Sequence, residues 1–204
     1  MHVQKLLPTI AFLAIGYTLG SILLATAVSP SFSWRENALS NLGVTTTDAG
    51  TTTTVMLFNG GLVGGGLVGV LFCLLAVRLA RRPGVRPVVV VLGLTMVMMA
   101  LVGVFPQGTT PHFPIAAAFF LLVTATLWTD AWMAFLTGHR RWSWFSFATG
   151  STNLLVWILW FVAAPIPEAL AIPEIVSAVV FGCWLIVYAF HLTRLEPIVL
   201  AGLS

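Results

Sequence analysis

Six apolar segments, each long enough to cross a lipid bilayer, dominate this 204-residue chain. About 20 apolar residues in a helix span a hydrocarbon core of roughly 30 Å, and only helices and closed barrels pair every backbone polar group inside a membrane. Barrel strands would be shorter and would alternate. The pattern predicts an all-α bundle of six transmembrane helices, in a single domain over residues 1–204. The predicted spans are about 8–28, 54–79, 87–105, 113–137, 142–163 and 172–191.

The composition excludes a water-soluble domain with the usual share of charged residues on its surface. Hydrophobic residues make up 59% of the chain and charged residues only 7%, whereas about a quarter of the residues in soluble domains are charged. The net charge of +3 comes from basic residues in short loops between apolar segments, so it predicts no nucleic-acid partner. The predicted partner is the lipid bilayer, and the composition indicates neither a cofactor nor an oligomeric state.

The first apolar segment has two features of a secretory signal peptide. Lys5 precedes it, and the sequence Ala25-Thr26-Ala27 resembles a cleavage site. The apolar segment is nevertheless longer than the core of a usual signal peptide. We therefore expect it to remain as the first membrane helix.

The basic residues predict the orientation of the bundle. With six spans, Arg35 falls on one side of the membrane and eight basic residues fall on the other. Those eight are Lys5, Arg78, Arg81, Arg82, Arg86, Arg140, Arg141 and Arg194. By the positive-inside rule, this predicts a multi-pass protein of the cell membrane with both termini in the cytoplasm. The Thr-rich residues 45–54 would then form an exposed, mobile segment outside.

The second apolar segment is rich in glycine. Its glycines recur at intervals of four residues, which leaves a groove for close approach of another helix. The pattern predicts a central packing helix, with a partner in the same chain favoured over a second copy of the protein. These glycines are Gly60, Gly61, Gly64, Gly65, Gly66 and Gly69.

Polar side chains inside a membrane cost free energy unless they are paired, so they mark candidate functional sites. On the predicted topology, such residues gather at the outer ends of the spans. The candidates for contact with a ligand are Glu36, Asn37, Asn41, Asn59 and Gln107. Packing of the outer loop is the alternative role for Asn59. Glu168 and Glu174 are further candidates from the last outer loop.

His112 and Ser40 are the candidate catalytic residues. His112 begins the fourth span, and an imidazole can transfer protons near neutral pH. Ser40 would be a nucleophile with His112 as its base and a carboxylate to orient the histidine. The alternatives are a histidine that caps a helix or faces headgroup water, and a serine that caps a turn. The chain has no Gly-x-Ser-x-Gly motif that would favour catalysis.

No metal site is predicted. A metal would need three or four ligands, and the acidic residues near His112 show no helical ligand spacing.

At the inner end of the spans, Asp130 is expected to pair with Arg78, Arg140 or Arg141, with a proton relay as the alternative. His139 and His191 lie at the same inner end, where an interfacial position accounts for both.

Three segments resemble a known membrane family. They are Asn-Ala-Leu-Ser-Asn-Leu-Gly from Asn37, Phe-Asn-Gly-Gly-Leu from Phe58, and Gly-Val-Phe-Pro from Gly103 with His112 following. Their order and spacing resemble those of the motifs in an uncharacterised prokaryotic family called domain of unknown function 998. That family often carries an acidic residue near Ser-x-Leu-Gly, where this chain has Glu36 and Asn37.

The family in turn is distantly similar to the six-helix DRAM, Sfk and FGF-receptor-activating-protein group. Some members of that group are tied to membrane lipids and to remodelling of lipid anchors. The resemblance therefore implies a six-helix membrane protein with a lipid-related function.

Three functions fit these residues. The first is a site that binds or modifies a lipid at the outer leaflet. The second is a non-catalytic accessory protein whose outer loop binds a partner. The third is a transporter of a small solute or of protons, which would need a polar path through a membrane interior that holds few polar residues and no visible inverted repeat. The sequence does not decide between an enzyme and a binding protein.

Overall fold

The computed structural model describes residues 3–79, 82, 84–163 and 169–195. Over these ranges the chain is helical and contains no strand, so the prediction of an all-α fold with six long helices is confirmed. A short 3-10 helix, Leu39–Gly43, lies between the first two helices. The helices are α1 (Val3–Val28), α2 (Thr52–Leu79), α3 (Val85–Val104), α4 (His112–Leu136), α5 (Arg140–Ala163) and α6 (Ala171–Leu195).

Each helix is long and apolar enough to cross a membrane. Even the shortest, α3, has 20 residues, which is about 30 Å of helix at 1.5 Å per residue. Large apolar side chains are exposed along the helices, Leu67 on α2 and Val162 on α5 among them. Such a surface is stable against lipid rather than water, so the chain is a multi-pass membrane protein.

The six helices form a ring in chain order. Each helix packs against the next one in the sequence, and α6 closes the ring by packing against α1. Because every helix crosses the bundle once, the ends of α1, α3 and α5 lie with the starts of α2, α4 and α6. We call this the loop end, because it carries the 3-10 helix. The opposite end, which carries Arg82 and Arg140, is called the arginine end.

The glycines of α2 face helices of the same chain on two sides. A Cβ atom on Gly65 would lie 1.7 Å from the Thr18 Oγ1 atom of α1, and one on Gly66 would lie 2.8 Å from the Ala100 backbone nitrogen of α3. The expected close packing against partners in the same chain therefore agrees with the contacts of α2 to α1 and α3. The expected central place of α2 was wrong, because α2 is one member of a ring and packs against two neighbouring helices.

The segment between α1 and α2 folds back over the loop end. The Ser29 hydroxyl donates to the Ala49 carbonyl at 2.7 Å, and the Thr47 hydroxyl donates to the Asn41 carbonyl at 2.7 Å. Thr45 and Thr46 are exposed as predicted, but Ala49 and Thr54 are fully buried. The predicted exposure of residues 45–54 therefore holds only in part, because Ala49 and Thr54 pack into the bundle and Thr52 begins α2.

The turn between α3 and α4 is set by local backbone chemistry. Helix α3 ends at Val104, since Phe105 precedes a proline and is excluded from the helical region. Gly108 then adopts a φ of +89°, which a residue with a side chain rarely takes. This turn brings Gln107 to the loop end, next to the 3-10 helix, and places His112 at the start of α4.

Candidate functional site

The 3-10 helix Leu39–Gly43 is held across the loop end by apolar side chains. Leu39 is 3% exposed and Leu42 is completely buried. The helix contacts α1, α2 and α6. A Cβ atom on Gly43 would lie 2.6 Å from the Asn59 Oδ1 atom of α2, so a side chain there would force Asn59 to move.

Polar bonds from two helices fix the same segment. The Leu39 backbone N–H donates to Glu174 Oε2 of α6 at 2.6 Å, and the Ala171 N–H donates to the Asn37 carbonyl at 3.0 Å. The Asn59 side-chain amide donates to the Gly43 carbonyl at 2.9 Å. The segment thus supplies a partner for an unpaired N–H at the start of α6.

A cavity of about 60 Å³ opens beneath the 3-10 helix, and we call it the loop-end cavity. Ser40, His112 and Glu174 line it from three different elements. Thr18 also lines it, but its hydroxyl donates to the Ala14 carbonyl of its own helix at 2.9 Å. The remaining walls are apolar residues of α1, α2, α3, α4, α6 and the 3-10 helix.

The polar and apolar parts of this cavity lie at different depths. Glu174 is in the first turn of α6, whereas Phe181 lines the cavity seven residues further on, about 10 Å along the helix. His112 and Phe119 have the same spacing on α4. The cavity is therefore polar near the loop end and apolar toward the middle of the bundle.

His112 is held in a defined orientation. Its Nδ1 atom lies 2.8 Å from the Phe105 carbonyl oxygen. Because a carbonyl oxygen can only accept, Nδ1 carries the proton, and Nε2 of the neutral ring is left with a lone pair. His112 is partly buried, and its position at the mouth of the cavity suits a proton acceptor.

Ser40 and Glu174 both retain hydrogen-bonding capacity. The Ser40 side chain is 8% exposed, and its hydroxyl makes no hydrogen bond within the described part of the chain. Only the Oε2 atom of Glu174 accepts a bond from the described residues. Polar groups in a mostly apolar cavity need partners, so the cavity suits a ligand with a polar group at one end.

The predicted ligand-contact residues lie around the cavity rather than along its walls. Asn41 donates to Gln107 Oε1 at 2.8 Å and accepts from the Ala38 N–H at 2.8 Å. Asn37 accepts from the Ser33 N–H at 2.7 Å, and Glu36 is exposed. The amides of Asn37, Asn41, Asn59 and Gln107 thus hold the loop in place. Their contact with a ligand stays a prediction.

Glu174 is the residue whose role the sequence left open. The sequence suggested it only as one of several acidic candidates, and the structure joins it to Leu39, 135 residues earlier. An acidic residue in the first turn of an apolar helix was the available signal. Glu168, the other candidate from that loop, lies outside the described residues. Within those residues, no group of three or more metal-ligating side chains is found.

Asp130 does not pair with an arginine as expected. It is 5% exposed, and its Oδ2 atom accepts from the Ser146 hydroxyl at 2.5 Å. Arg78, Arg140 and Arg141 are all exposed, and the Arg140 guanidinium lies 4.2 Å from the centre of the Phe135 ring. The pairing was wrong because Asp130 faces the inside of the ring of helices, whereas these arginines face outward.

Polar groups in the middle of the bundle pair with each other. The Asn153 amide of α5 donates to the Thr124 hydroxyl of α4 at 2.8 Å. The hydroxyls of Thr95 and Thr126 lie 2.8 Å apart and join α3 to α4. The three threonines and the asparagine amide therefore serve as polar contacts between helices.

The six-helix architecture and the order of its motifs can be compared with known proteins. A family model described as "Protein of unknown function (DUF998)" matches residues 12–191. The chain belongs to the DUF998 family. No curated protein and no solved structure matches it. The resemblance drawn from the Asn37, Phe58 and Gly103 segments is thereby confirmed, while the more distant similarity to the DRAM, Sfk and FGF-receptor-activating-protein group stays a prediction.

The matched region of this DUF998 protein includes Ser40, His112 and Glu174, and also Asp130 at the other end of the bundle. The loop-end cavity therefore lies within the matched part of the chain. The family description assigns no activity.

Proposed function

We propose that the loop end faces the outside of the cell and that its cavity binds the ester region and part of the acyl chain of a membrane lipid. The observation that carries this proposal is that Ser40, His112 and Glu174 line a cavity whose other walls are almost entirely apolar. A lipid has the same order of groups, with an ester near the membrane surface and hydrocarbon below it.

The size of the cavity limits which part of a lipid enters. A volume of about 60 Å³ corresponds to roughly four or five water-sized groups at 10–15 Å³ each. The ester and the first methylene groups of one chain fit this volume, while the rest of the lipid would lie against the outside of the bundle. Apolar walls favour methylene groups over a water-soluble ligand by about 0.8 kcal/mol per buried methylene.

We further propose that Ser40 and His112 transfer the acyl group. The Nε2 atom of His112 takes the proton of the Ser40 hydroxyl, whose oxygen attacks the ester carbonyl and forms a bond to the acyl group. The alcohol leaves with the proton from His112. Water or the hydroxyl of a second lipid then takes the acyl group from Ser40. The specific support is the bond from Nδ1 to the Phe105 carbonyl, which leaves Nε2 free as a base.

Lipid binding is tested by mass spectrometry of lipids that stay with the purified protein. Ser40→Ala and His112→Ala are compared with the unchanged protein and with Asp48→Asn, which alters an exposed acidic residue at the same end. We expect one class of ester lipid to be enriched on the unchanged protein and on Asp48→Asn, and to be reduced in the other two. Identical lipid profiles in all four folded proteins would contradict the proposal and favour a non-catalytic accessory role.

Acyl transfer is tested separately with a fluorophosphonate probe, which reacts with activated serine hydroxyls. We expect the probe to label Ser40, with no labelling of Ser40→Ala and about 10²-fold or more slower labelling of His112→Ala. Lipid binding without any probe reaction would support the proposed binding site and contradict the proposed acyl transfer.

A further inference from the structure

A second cavity, of about 40 Å³, lies at the arginine end of the bundle and is called the arginine-end cavity. Its lining includes Arg82, Asp130, His139, Trp142, Tyr188 and His191. None of these residues lines the loop-end cavity, so ligand binding here is independent of the function proposed there.

Asp130 forms the buried base of this cavity. Its Oδ2 atom accepts from Ser146 at 2.5 Å, and the Ser146 oxygen accepts from the Trp184 indole N–H at 3.0 Å. This relay fixes the carboxyl group, while its other oxygen accepts no hydrogen bond from the described residues. A buried carboxylate without a cation is costly, so the base of the cavity favours a positively charged group.

Two further polar groups lie beside Asp130. The Tyr188 side chain is 2% exposed, and its hydroxyl makes no hydrogen bond in the described part of the chain. The indole N–H of Trp142 is also buried and lies toward the Asp130 carboxyl group, although it makes no hydrogen bond of good geometry there. Native proteins rarely leave a buried polar group unpaired, and each such group costs roughly 1–3 kcal/mol. The Tyr188 hydroxyl therefore favours a ligand that can pair with it.

The mouth of the cavity is basic. Arg82 is exposed, and its Nη1 atom lies 3.5 Å from His139 Nε2. The ring of Trp142 stacks on that of His191, with 4.1 Å between the ring centroids. From the base outward, the cavity therefore presents a carboxylate, then aromatic donors, then a guanidinium with imidazoles.

We propose that this cavity binds a zwitterion in which an ammonium group is joined to a phosphate, the chemistry of phosphoethanolamine. The ammonium group donates to the free oxygen of Asp130. The phosphate oxygens accept from Arg82 at the mouth. A volume of about 40 Å³ holds about three water-sized groups, which matches an aminoethyl arm with its phosphate outside.

This arrangement discriminates between headgroups. A trimethylammonium group has no N–H to donate to Asp130, so it cannot make this hydrogen bond. A headgroup with phosphate and no amine leaves Asp130 without a cation. The site is therefore selective for a primary amine joined to phosphate, which either an aminophospholipid or the free soluble compound provides.

The test measures binding to the full-length protein in detergent by native mass spectrometry. The probes are dihexanoyl phosphatidylethanolamine, dihexanoyl phosphatidylcholine and free phosphoethanolamine. We expect the ethanolamine lipid to bind about tenfold or more tightly than the choline lipid, since a hydrogen bond between charged groups is lost in the latter. Tight binding of free phosphoethanolamine identifies a soluble ligand, and binding of the lipid alone identifies a membrane ligand. Equal binding of the two lipids overturns the proposal.

Substitutions of residues that line the arginine-end cavity test whether the ethanolamine lipid binds there. Asp130→Asn keeps the shape and removes the charge, so we expect about tenfold or more weaker binding of the ethanolamine lipid. Arg82→Gln is compared with Arg86→Gln, which removes an exposed charge at the same end without lining the cavity. Arg82→Gln should weaken binding several-fold more than Arg86→Gln. If Asp130→Asn does not fold, equal effects of the two arginine variants overturn the proposal, as does unchanged binding in folded Asp130→Asn.

Discussion

Glu174 illustrates how a single carboxyl group positions a distant segment of the chain. Its Oε2 atom accepts the Leu39 N–H at 2.6 Å, and one turn of α6 holds both this group and the Ala171 N–H that donates to Asn37. A carboxylate at the start of a helix is also favoured by the helix dipole. Glu174 therefore has a structural role, in addition to any contact with a ligand in the loop-end cavity.

Two substitutions of Glu174 separate these roles. Glu174→Gln keeps an oxygen that can accept from Leu39, whereas Glu174→Ala removes the acceptor and leaves a buried N–H unpaired. We expect Glu174→Ala to destabilise the loop by about 1–3 kcal/mol and Glu174→Gln to have a smaller effect. The measurement is hydrogen–deuterium exchange of peptides that cover residues 38–43. Equally fast exchange in both variants would mean that charge, not the hydrogen bond, holds the loop.

Residue patterns predicted this site only in part. Polar side chains at the outer ends of the spans need partners, and this position together with their chemistry made Ser40, Asn59 and His112 candidates. The partners could not be predicted, because Leu39 and Glu174 are 135 residues apart and the bond depends on how α6 packs. The same reason explains the error at Asp130, whose charge suggested an arginine partner although the partner in the structure is Ser146.

At the scale of helices, α2 is the helix against which α1 and α3 pack closely. Its glycines leave no space for side chains on the faces toward α1 and α3, and both neighbours approach closely there. The glycine spacing predicted close packing because it depends only on helical periodicity. The identity of the two partners followed from the three-dimensional arrangement.

Two glycines of α2 provide a matched test of this packing. In Gly66→Ala, the new Cβ atom would lie 2.8 Å from both the Met96 carbonyl oxygen and the Ala100 nitrogen, which are backbone atoms that cannot rotate away. We expect the free energy of unfolding to fall by about 1–3 kcal/mol. In Gly60→Ala, no atom lies within 4 Å of the new Cβ atom, so little change is expected.

Thermal unfolding in detergent measures the difference between these two variants. A lower Tm for Gly66→Ala than for Gly60→Ala supports the close packing of α2 against α3. Equal Tm values would show that α3 can move away from α2 without loss of stability.

At the scale of the whole molecule, the ring of helices places two different cavities at opposite ends. The loop-end cavity has a polar mouth over apolar walls, and the arginine-end cavity has a buried carboxyl group below basic residues. The paired polar groups at Asn153, Thr124, Thr95 and Thr126 lie between them. The orientation of the bundle decides which side of the membrane each cavity meets.

The positive-inside rule predicts that orientation, and cysteine labelling tests it. Cys73 and Cys183 are the free cysteines, so both are first replaced. In that background, we expect Thr46→Cys to react with a membrane-impermeant maleimide on intact cells. We expect Arg141→Cys to react only after the membrane is permeabilised. Both target positions are exposed, so access alone separates them. The reverse pattern would place the loop end in the cytoplasm and contradict the proposed outer-leaflet site.

The number of long helices, their approximate positions and the close packing of α2 all followed from the linear sequence. They depend on hydropathy, charge and helical periodicity, which are properties of neighbouring residues. The grouping of Ser40, His112 and Glu174 in one cavity and the partner of Asp130 required the folded bundle. These features depend on which helix faces meet in the bundle, and such contacts between distant residues leave no periodic pattern in the chain.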